Sequence, residues 1–492
     1  MMTGLTSTPA TTTGSGWTPR LVLSLVSMAL VLEIISISSY MVATALKPIG
    51  EHFRTGQIAW VMTAWLLMAA IACPVVGKLA DIYGKRRMFL ISLGVSVLGA
   101  ALSAMAPTFW VFIVGRALFG CLITCMFLAY SLMRDVFPPR TLALSVSVTA
   151  AGMGLMSIPS PFLTGMLLDL WSFRSIFWFF VVVLVVCAPL VVLTTPESLV
   201  RTPARVDVLG AALLGTGLAS VLVGVSFGPT WGWIHTETLG FLGGGTALLA
   251  IWAVSSLCMS SPLIDLRFFR EGPMFRITAA AGLGYGTITL YTTVLPLMCM
   301  APISLGLGYG FGVDARQFAI LQAPIGVGSL VGGLAAGRAI RSVRPALTLV
   351  VGLTVMASSS VLTAFAHSAK IPLVLWVLLF GIGMGITTAS IPNLVIHSVP
   401  ADVQASMSSM VQTSQTLIAS IFPVAAFTML NSHVATVIEG YAYYTDTGMV
   451  VAYLMCAGAS AASLAVAVGL LRRRAHTAED ANATSPEAAA LV

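Results

Sequence analysis

Long apolar runs separated by short polar connections fill the chain from residue 21 to residue 471. A membrane-spanning α-helix needs about 20 consecutive apolar residues, and runs of this length are too long for ordinary strands. The pattern therefore predicts fourteen transmembrane helices. They are residues 21–46, 58–76, 88–106, 109–131, 142–167, 176–194, 208–228, 239–257, 275–297, 318–337, 346–366, 372–392, 405–430 and 449–471.

The composition excludes a soluble globular protein. Hydrophobic residues make up 58% of the 492 positions and the mean hydropathy is +0.98, whereas the apolar share of soluble domains is nearer one half. The seven cysteines all lie in apolar runs, so they predict neither a disulfide framework nor a metal site. The chain contains no HExxH and no Walker A pattern. We therefore predict no metal, no cofactor and no ATP-driven step.

The basic residues indicate the orientation of the spans. Most of the 24 Lys and Arg residues fall on connections that share one side of the membrane with both termini. The positive-inside rule makes that side cytoplasmic, so the net charge of +7 reflects topology and not affinity for nucleic acid. Residues 1–20 and 472–492 are predicted to be disordered tails. The start of the chain lacks the positive cluster of a cleaved signal peptide.

One connection, GKLADIYGKRR at residues 77–87, holds much of the charge. Its charged residues are Lys78, Asp81, Lys85, Arg86 and Arg87. Gly77 and Gly84 suit a tight reversal between antiparallel helices, and on these residues alone the segment is a basic cytoplasmic turn. The spacing G-x-L-A-D-x-x-G followed by three basic residues resembles the loop motif of the major facilitator superfamily. The resemblance implies a conformational latch, in which Asp81 and its basic neighbours hold cytoplasmic helix ends together in one state.

A weak internal repeat fits this resemblance, because residues 75–95 are echoed by residues 335–353. Transporters built from two such six-helix halves bind substrate between the halves near the membrane midplane. We expect an N-terminal half at 21–194, two inserted helices at 195–258 and a C-terminal half at 259–471. The predicted fold class is an all-α polytopic membrane protein with the major facilitator fold.

Two charged residues, Glu33 and Arg116, lie well inside predicted spans. A charge at this depth is costly unless it faces protein or water, so both are functional candidates. Glu33 begins a polar stripe that continues through Ser36, Tyr40 and Thr44 along one side of the first helix. A carboxyl group in a dry environment is easier to protonate than one in water, so Glu33 is the candidate proton-coupling acid. The alternative is a static polar tether between helices.

Further motifs resemble the fourteen-helix drug:proton antiporter branch of the superfamily. IVGRALFGCLITC around Arg116 is similar to its fourth-helix motif, which implies that Arg116 takes part in proton coupling by acting on a neighbouring acid. The fifth span carries Pro159, Pro161 and Gly165 where the branch has a glycine- and proline-rich motif, but Ser160 and Thr164 replace two glycines. Segments 231–235, 261–269 and 381–394 also resemble the branch.

The first span departs from that branch. In the register of ATALKPIGEHF, the acid of the branch falls on Ser38 or Ser39. Glu33 lies five residues before Ser38, about 140° around the helix, so it is not a simple substitute. Either the coupling acid has moved to Glu33, or the protein is not coupled in the usual way.

Polar residues of the second half are candidates for a substrate cavity. They are Tyr285, Tyr291, Gln322, Asn393, Gln412 and Gln415. Polar side chains in membrane helices also tie neighbouring helices together, so the sequence does not separate the two roles.

The predicted function is secondary transport and not an enzymatic reaction. We expect a monomeric carrier in the inner membrane of a prokaryotic-type cell that exports amphipathic, drug-like molecules, including cationic ones, in exchange for protons. The alternative within transport is a dedicated carrier of one endogenous metabolite or lipid-like compound. A membrane enzyme would need paired carboxylates or a metal site in an external loop, and the loops are poor in both.

Overall fold

A computed structural model describes residues 17–55, 59–156, 159–201, 207–259, 262–264, 266–267, 273–438 and 441–483. The chain forms long helices and one short hairpin. The helices are α1 Pro19–Phe53, α2 Ala59–Tyr83, α3 Lys85–Met105, α4 Phe109–Phe119, α5 Thr124–Val136, α6 Pro139–Leu155, α7 Pro159–Leu170, α8 Phe173–Thr194, α9 Val208–Trp231, α10 Thr236–Cys258, α11 Met274–Cys299, α12 Ala315–Ala339, α13 Pro345–Phe365, α14 Lys370–Ser398, α15 Gln404–Asn431 and α16 Asp446–Ala483. The strands are β1 Val434–Ile438 and β2 Tyr441–Tyr444.

The order and position of the helices agree with the predicted spans. Among the described residues, 12 helical segments are long and apolar enough to cross a membrane. One of these combines α4, the 3₁₀ turn Gly120–Ile123 and α5. The two remaining predicted spans, 142–167 and 275–297, correspond to the consecutive helices α6 and α7 and to α11. The all-α polytopic fold is therefore confirmed.

Local sequence explains where several helices begin. Thr18 and Asp314 precede α1 and α12, and their side chains accept hydrogen bonds from Leu21 N at 3.3 Å and Gln317 N at 2.7 Å. Such capping groups satisfy backbone donors that have no partner in the first turn of a helix. Pro19 at the start of α1 has no N–H to satisfy.

Helices α1–α8 share one apolar core, and α11–α16 pack around two others.

We call the end of the bundle that carries the α2–α3 connection the motif end, and the opposite end, which carries Arg54, the far end. The pair α9 and α10 lies beside α2 and α15, where the two groups of helices meet. Only α9 makes extensive contacts with the rest of the bundle, because α10 packs mainly on α9.

The far end carries a hairpin that the apolar pattern does not predict. Strands β1 and β2 pair antiparallel, and the Tyr309 hydroxyl donates to the Tyr444 carbonyl oxygen at 2.6 Å. Nearby, His367 Nε2 lies 2.8 Å from Asp446 Oδ1. The first bond holds the hairpin against the loop that follows α11, and the second contact holds the start of α16 against the connection that follows α13.

The last helix is longer than predicted. Helix α16 continues to Ala483, whereas a disordered tail is predicted from residue 472 onwards. The prediction ended the span where the apolar run stops, but Ala and Glu residues beyond that point also favour helix. At the other terminus, α1 begins at Pro19, and residues 1–16 of the predicted tail lie outside the described residues.

Candidate functional site

A cavity of about 330 Å³ lies between the two groups of helices. Its size is at the low end of the range of typical small-molecule pockets. Helices α1, α2, α5, α6, α11, α14 and α15 contribute to its wall. The described residues that line it are Ile35, Ser36, Ser39, Tyr40, Met62, Trp65, Leu66, Ile123, Met126, Ala150, Tyr285, Ile288, Thr289, Thr292, Met384, Thr388, Gln412, Gln415, Thr416 and Ala419.

Five of the predicted cavity residues reach this wall. They are Ser36, Tyr40, Tyr285, Gln412 and Gln415. Thr44 is exposed one turn beyond Tyr40, towards the far end, and its hydroxyl donates to the Tyr40 carbonyl oxygen at 2.9 Å. The polar stripe of α1 therefore faces the cavity at Ser36 and Tyr40. Binding of a substrate by these side chains stays a prediction.

Tyr291, Gln322 and Asn393 do not line the cavity. Tyr291 is fully buried in the core of the second group, where its ring stacks on Phe380 with 3.7 Å between ring centroids. It lies six residues after Tyr285 and so points about 120° away from it around α11. Gln322 is buried on α12 outside the cavity. For Tyr291, whose hydroxyl lies 2.9 Å from Thr363 Oγ1, and for Asn393, the alternative role as ties between neighbouring helices fits the structure better than the cavity role.

Asn393 illustrates that role. Its Nδ2 donates to Ser147 Oγ at 3.3 Å and to the Ala389 carbonyl oxygen at 2.8 Å. The first of these bonds joins α14 to α6 and therefore joins the two groups of helices.

The two serines in the register of the antiporter acid have different surroundings. Ser39 lines the cavity, whereas Ser38 is buried and donates to the Ile35 carbonyl oxygen at 2.9 Å. Ser39 therefore occupies the cavity-facing position on α1. Sequence reasoning did not select Ser39 as a cavity residue, although its register with the branch motif was the available signal.

Glu33 does not line the cavity, because its side chain turns towards α6. It is 8% exposed, and its Oε2 atom has no hydrogen-bond partner in the described part of the chain. A Cβ at Gly152 would collide with Oε1, so only glycine leaves room for the carboxylate there. Glu33 is thus a buried acid held against α6.

Tyr130 lies near both this acid and the cavity. It lies within electrostatic range of both Glu33 and Tyr285, and its own buried hydroxyl lacks a partner among the described residues. Tyr130, Tyr285, Gln412 and other residues line a recess of about 30 Å³ that adjoins the main cavity. A recess of this size has room for about two water molecules. Sequence reasoning missed Tyr130, because a tyrosine in an apolar helix carries no signal of its own.

Arg116 is fully buried on α4 and forms no ion pair with Glu33 in the described part of the chain. Its Nε donates to the Val61 carbonyl oxygen at 3.2 Å. The guanidinium carbon lies 5.7 Å from the ring centroid of Trp65 and at similar distances from Phe119 and Phe177. Because Trp65 also lines the cavity, this aromatic ring separates the cation from the cavity.

At the motif end, Asp81 joins the two groups of helices. Its carboxylate accepts hydrogen bonds from Ala405 N at 3.0 Å, Ser406 N at 2.8 Å and Ser406 Oγ at 2.5 Å. Both amides belong to the first turn of α15, where backbone donors have no helical partner and the helix dipole favours a negative charge. Asp81 is 3% exposed. The predicted motif aspartate is thus an N-terminal cap for a helix of the other group.

The basic residues of the motif fall into two sets. Lys85 Nζ lies 2.6 Å from Asp135 Oδ2 and donates to the Ala401 carbonyl oxygen at 3.3 Å, so it too reaches the second group. The backbone amides of Arg86 and Arg87 both donate to the Glu197 carboxylate at 2.9 Å, within the first group. Only Lys85 among these three therefore bridges the two groups.

Small residues and one further hydrogen bond complete the closure. A Cβ at Gly77 would lie less than 3.0 Å from Ser409 and from the Ala405 carbonyl oxygen, so α2 and α15 touch through backbone. Gly333 and Gly337 of α12 pack in the same way on Ala151 and Ser147 of α6. Arg134 donates to the side-chain oxygen of Gln404. The bundle is closed at the motif end, and the cavity lies on the far side of this closure.

The fifth-helix motif departs from expectation. The predicted span divides into α6 and α7, and Pro159 begins α7. The close helix approach occurs earlier, at Ser147 and Ala151, whereas a Cβ at Gly165 would have nothing within 4 Å. Gly165 therefore does not mark a close helix contact, and the side chain of Pro161 lies outside the described residues.

Comparison with known protein families agrees with this architecture. Residues 26–423 match the family model described as Major Facilitator Superfamily. The tetracenomycin C resistance and export protein of Streptomyces glaucescens is 27% identical over 414 residues, which cover 81% of this chain and 73% of that protein. The multidrug resistance protein Stp of Mycobacterium tuberculosis is 24% identical over 404 residues, with the same coverage of 81% and 73%.

A solved structure shares the fold. The crystal structure of the human organic anion transporter MFSD10 (TETRAN) superposes with a TM-score of 0.67 and covers 92% of this chain and 100% of that chain. The sequence identity is 14%, so the likeness concerns the fold alone.

Proposed function

The chain belongs to the Major Facilitator Superfamily, and on this premise we propose that it exports amphipathic small molecules in exchange for protons by alternating access. The observation that carries the proposal is a central cavity combined with a closed motif end. The closure consists of hydrogen bonds and backbone contacts between two groups of helices, and such contacts can be broken and re-formed. Alternating access requires a closure of this kind, because two states must be stabilised differently.

In this proposal the two groups, α1–α8 and α11–α16, are the moving halves, and α9 and α10 are an insertion. The motif end faces the cytoplasm of the cell, in agreement with its basic residues. With this end closed, the cavity is accessible from the outside. Breaking the contacts of Asp81 and Lys85 with α15 and its preceding turn opens the cytoplasmic side.

Glu33 is the proton-binding group in this cycle. The supporting observations are its burial, the lack of a partner for Oε2 among the described residues and the nearby Tyr130, which lines the recess beside the cavity. A carboxylate with no cation beside it gains stability when it takes up a proton, because burial disfavours its charged form. Arg116 acts at a distance, as a fixed buried charge behind Trp65, and not as a direct partner of Glu33.

The substrate class rests on the relatives. One is named for tetracenomycin C resistance and export, and another is named a multidrug resistance protein. We propose export of amphipathic molecules of this general kind. A dedicated carrier of one endogenous compound is the second candidate, and the serine at position 39 favours it, because the cavity lacks the acid of the drug:proton antiporter branch.

Transport by purified protein in proteoliposomes tests this proposal. An imposed pH gradient drives uptake of a panel of neutral and cationic dyes, and wild type is compared with Glu33→Gln. Glu237→Gln is the matched control, because Glu237 is an exposed carboxylate on α10. We expect wild type and the control to respond to the gradient and Glu33→Gln to lose the response.

Two other outcomes would change the proposal. If Glu33→Gln keeps the response to the gradient, the coupling acid is another residue. If wild type moves no dye in the panel, the drug-export proposal is wrong and the dedicated carrier becomes the leading candidate.

A further inference from the structure

The cavity wall contains no charged side chain among the described residues that line it. Its polar groups are hydroxyls from Ser, Thr and Tyr and the side-chain amides of Gln412 and Gln415. Each glutamine amide offers two donors and an acceptor. The hydroxyls of Ser39, Thr289 and Thr388 donate to carbonyl oxygens of their own helices and remain available as acceptors. The wall can therefore satisfy hydroxyl and carbonyl groups of a ligand, but it offers no counter-charge.

The two buried charges of the membrane region are both outside the wall. Arg116 lies behind Trp65, and its Nη1 and Nη2 atoms have no partner in the described part of the chain. Glu33 lies behind Tyr130 and against Gly152. In the proposed exchange the substrate binds after Glu33 has released its proton, and the negative charge of Glu33 is then offset by the positive charge of Arg116. The cavity therefore offers a cation no net counter-charge.

Aromatic rings offer a cation partial compensation, because Trp65, Tyr40 and Tyr285 line the cavity. A cation–π contact is weak compared with the cost of removing an ionised group from water without a counter-charge. The desolvation cost therefore exceeds the aromatic contribution, and a neutral ligand of the same shape is favoured.

We infer that the cavity selects neutral amphipathic molecules that carry hydroxyl or carbonyl groups, and that each turnover moves one net positive charge. This inference rests on the proposed proton exchange. One proton enters through Glu33 and one uncharged molecule leaves, so the cycle is electrogenic. A monovalent cation exchanged for one proton would leave the charge balance unchanged.

Equilibrium binding to wild-type protein in nanodiscs tests the ligand class without any transport step. The probes are a neutral naphthalimide dye with a hydroxyethyl group and the same dye with a trimethylammonioethyl group. We expect wild type to bind the neutral dye at least tenfold more tightly. Equal or tighter binding of the cationic dye overturns the inference but leaves proton-driven export intact, and binding of neither dye also overturns it.

A pair of variants at the cavity-facing serine sharpens the test. Ser39→Asp places a carboxylate in the wall, and Ser39→Asn is the neutral control of similar size. We expect Ser39→Asp to gain affinity for the cationic dye and Ser39→Asn to keep the preference of wild type. If both variants behave like wild type, position 39 does not determine the ligand charge. The wild-type comparison remains decisive if a variant fails to fold.

The charge movement is measured in proteoliposomes with equal pH on both sides and a potassium diffusion potential. One charge moved across 100 mV corresponds to about 2.3 kcal/mol, or roughly a 50-fold change in the accumulation ratio. We expect accumulation of the neutral dye to follow the potential by this factor. A response to pH gradients without a response to potential overturns the electrogenic inference, whereas no response to either overturns the proposed function itself.

Discussion

Replacing Asp81 by Asn should open the motif end. The carboxylate accepts three hydrogen bonds from Ala405 and Ser406 at the first turn of α15. In Asp81→Asn one oxygen remains as acceptor, while the NH₂ group of the amide faces backbone donors. The variant also loses the negative charge that the helix N-terminus favours.

The size of the effect follows from these contacts. A hydrogen bond to a charged group contributes about 1.5–3 kcal/mol net of water. The substitution removes at least one such bond and weakens the others, so the closed state loses roughly 3 kcal/mol. A change of this size shifts the equilibrium between closed and open motif ends by about 100-fold. A closed state that dominates in wild type should then become a minor state.

Distances between spin labels measure this equilibrium directly. Arg140 lies in the first turn of α6 in the first group, and Ser342 follows α12 in the second group. Both residues are exposed at the motif end. With labels at these two positions, Asp81→Asn should move most of the distance distribution to longer values. Glu237→Gln should leave it unchanged. An unchanged distribution in Asp81→Asn would refute the latch role of Asp81.

Four further predictions concern single residues. Tyr130→Phe should slow proton-coupled transport by at least tenfold with unchanged dye affinity, because it removes the hydroxyl between the cavity and Glu33; initial rates and binding constants check this. Arg116→Lys should lower the melting temperature of the purified protein, because an ammonium group reproduces neither the Nε bond nor the flat contact with three rings. Gly77→Leu should open the motif end as Asp81→Asn does, because no side chain fits there, and the same label distances check it. Burial raises the pKa of Tyr309 to about 12 from 10.0, so its stabilising effect is complete below pH 10 and is lost as the pH rises towards 12; the tyrosinate absorbance of wild type and Tyr309→Phe measures this.

The sequence predicted the helices well, because the length of an apolar run is set by membrane thickness. The loop motif at residues 77–87 also located the latch, since its charges and glycines are close together in the chain. The partner of the motif could not be predicted in the same way. Asp81 and Ser406 are 325 positions apart, and no pattern in the sequence around either residue indicates that they are in contact.

The cavity was predicted only in part. In a membrane protein, side chains that face lipid, a neighbouring helix or a small-molecule cavity are all mainly apolar, so the pattern along a helix does not separate these surfaces. Tyr285 and Tyr291 illustrate this, because one lines the cavity and the other stacks on Phe380 in the core. Glu33 was identified by its charge alone, whereas Tyr130 became apparent only from its place in the wall of the recess and near Glu33.

The most direct test of the central claim is to measure protons while substrate moves. Proteoliposomes containing a pH-sensitive dye in the lumen start with no pH gradient and no potential, and a transported neutral dye is then added outside. For molecules oriented with the motif end outwards, exchange predicts that the lumen becomes alkaline as the dye enters. Glu33→Gln and protein-free liposomes should show no such change. Entry of the dye through wild-type protein without any change of luminal pH would contradict proton exchange.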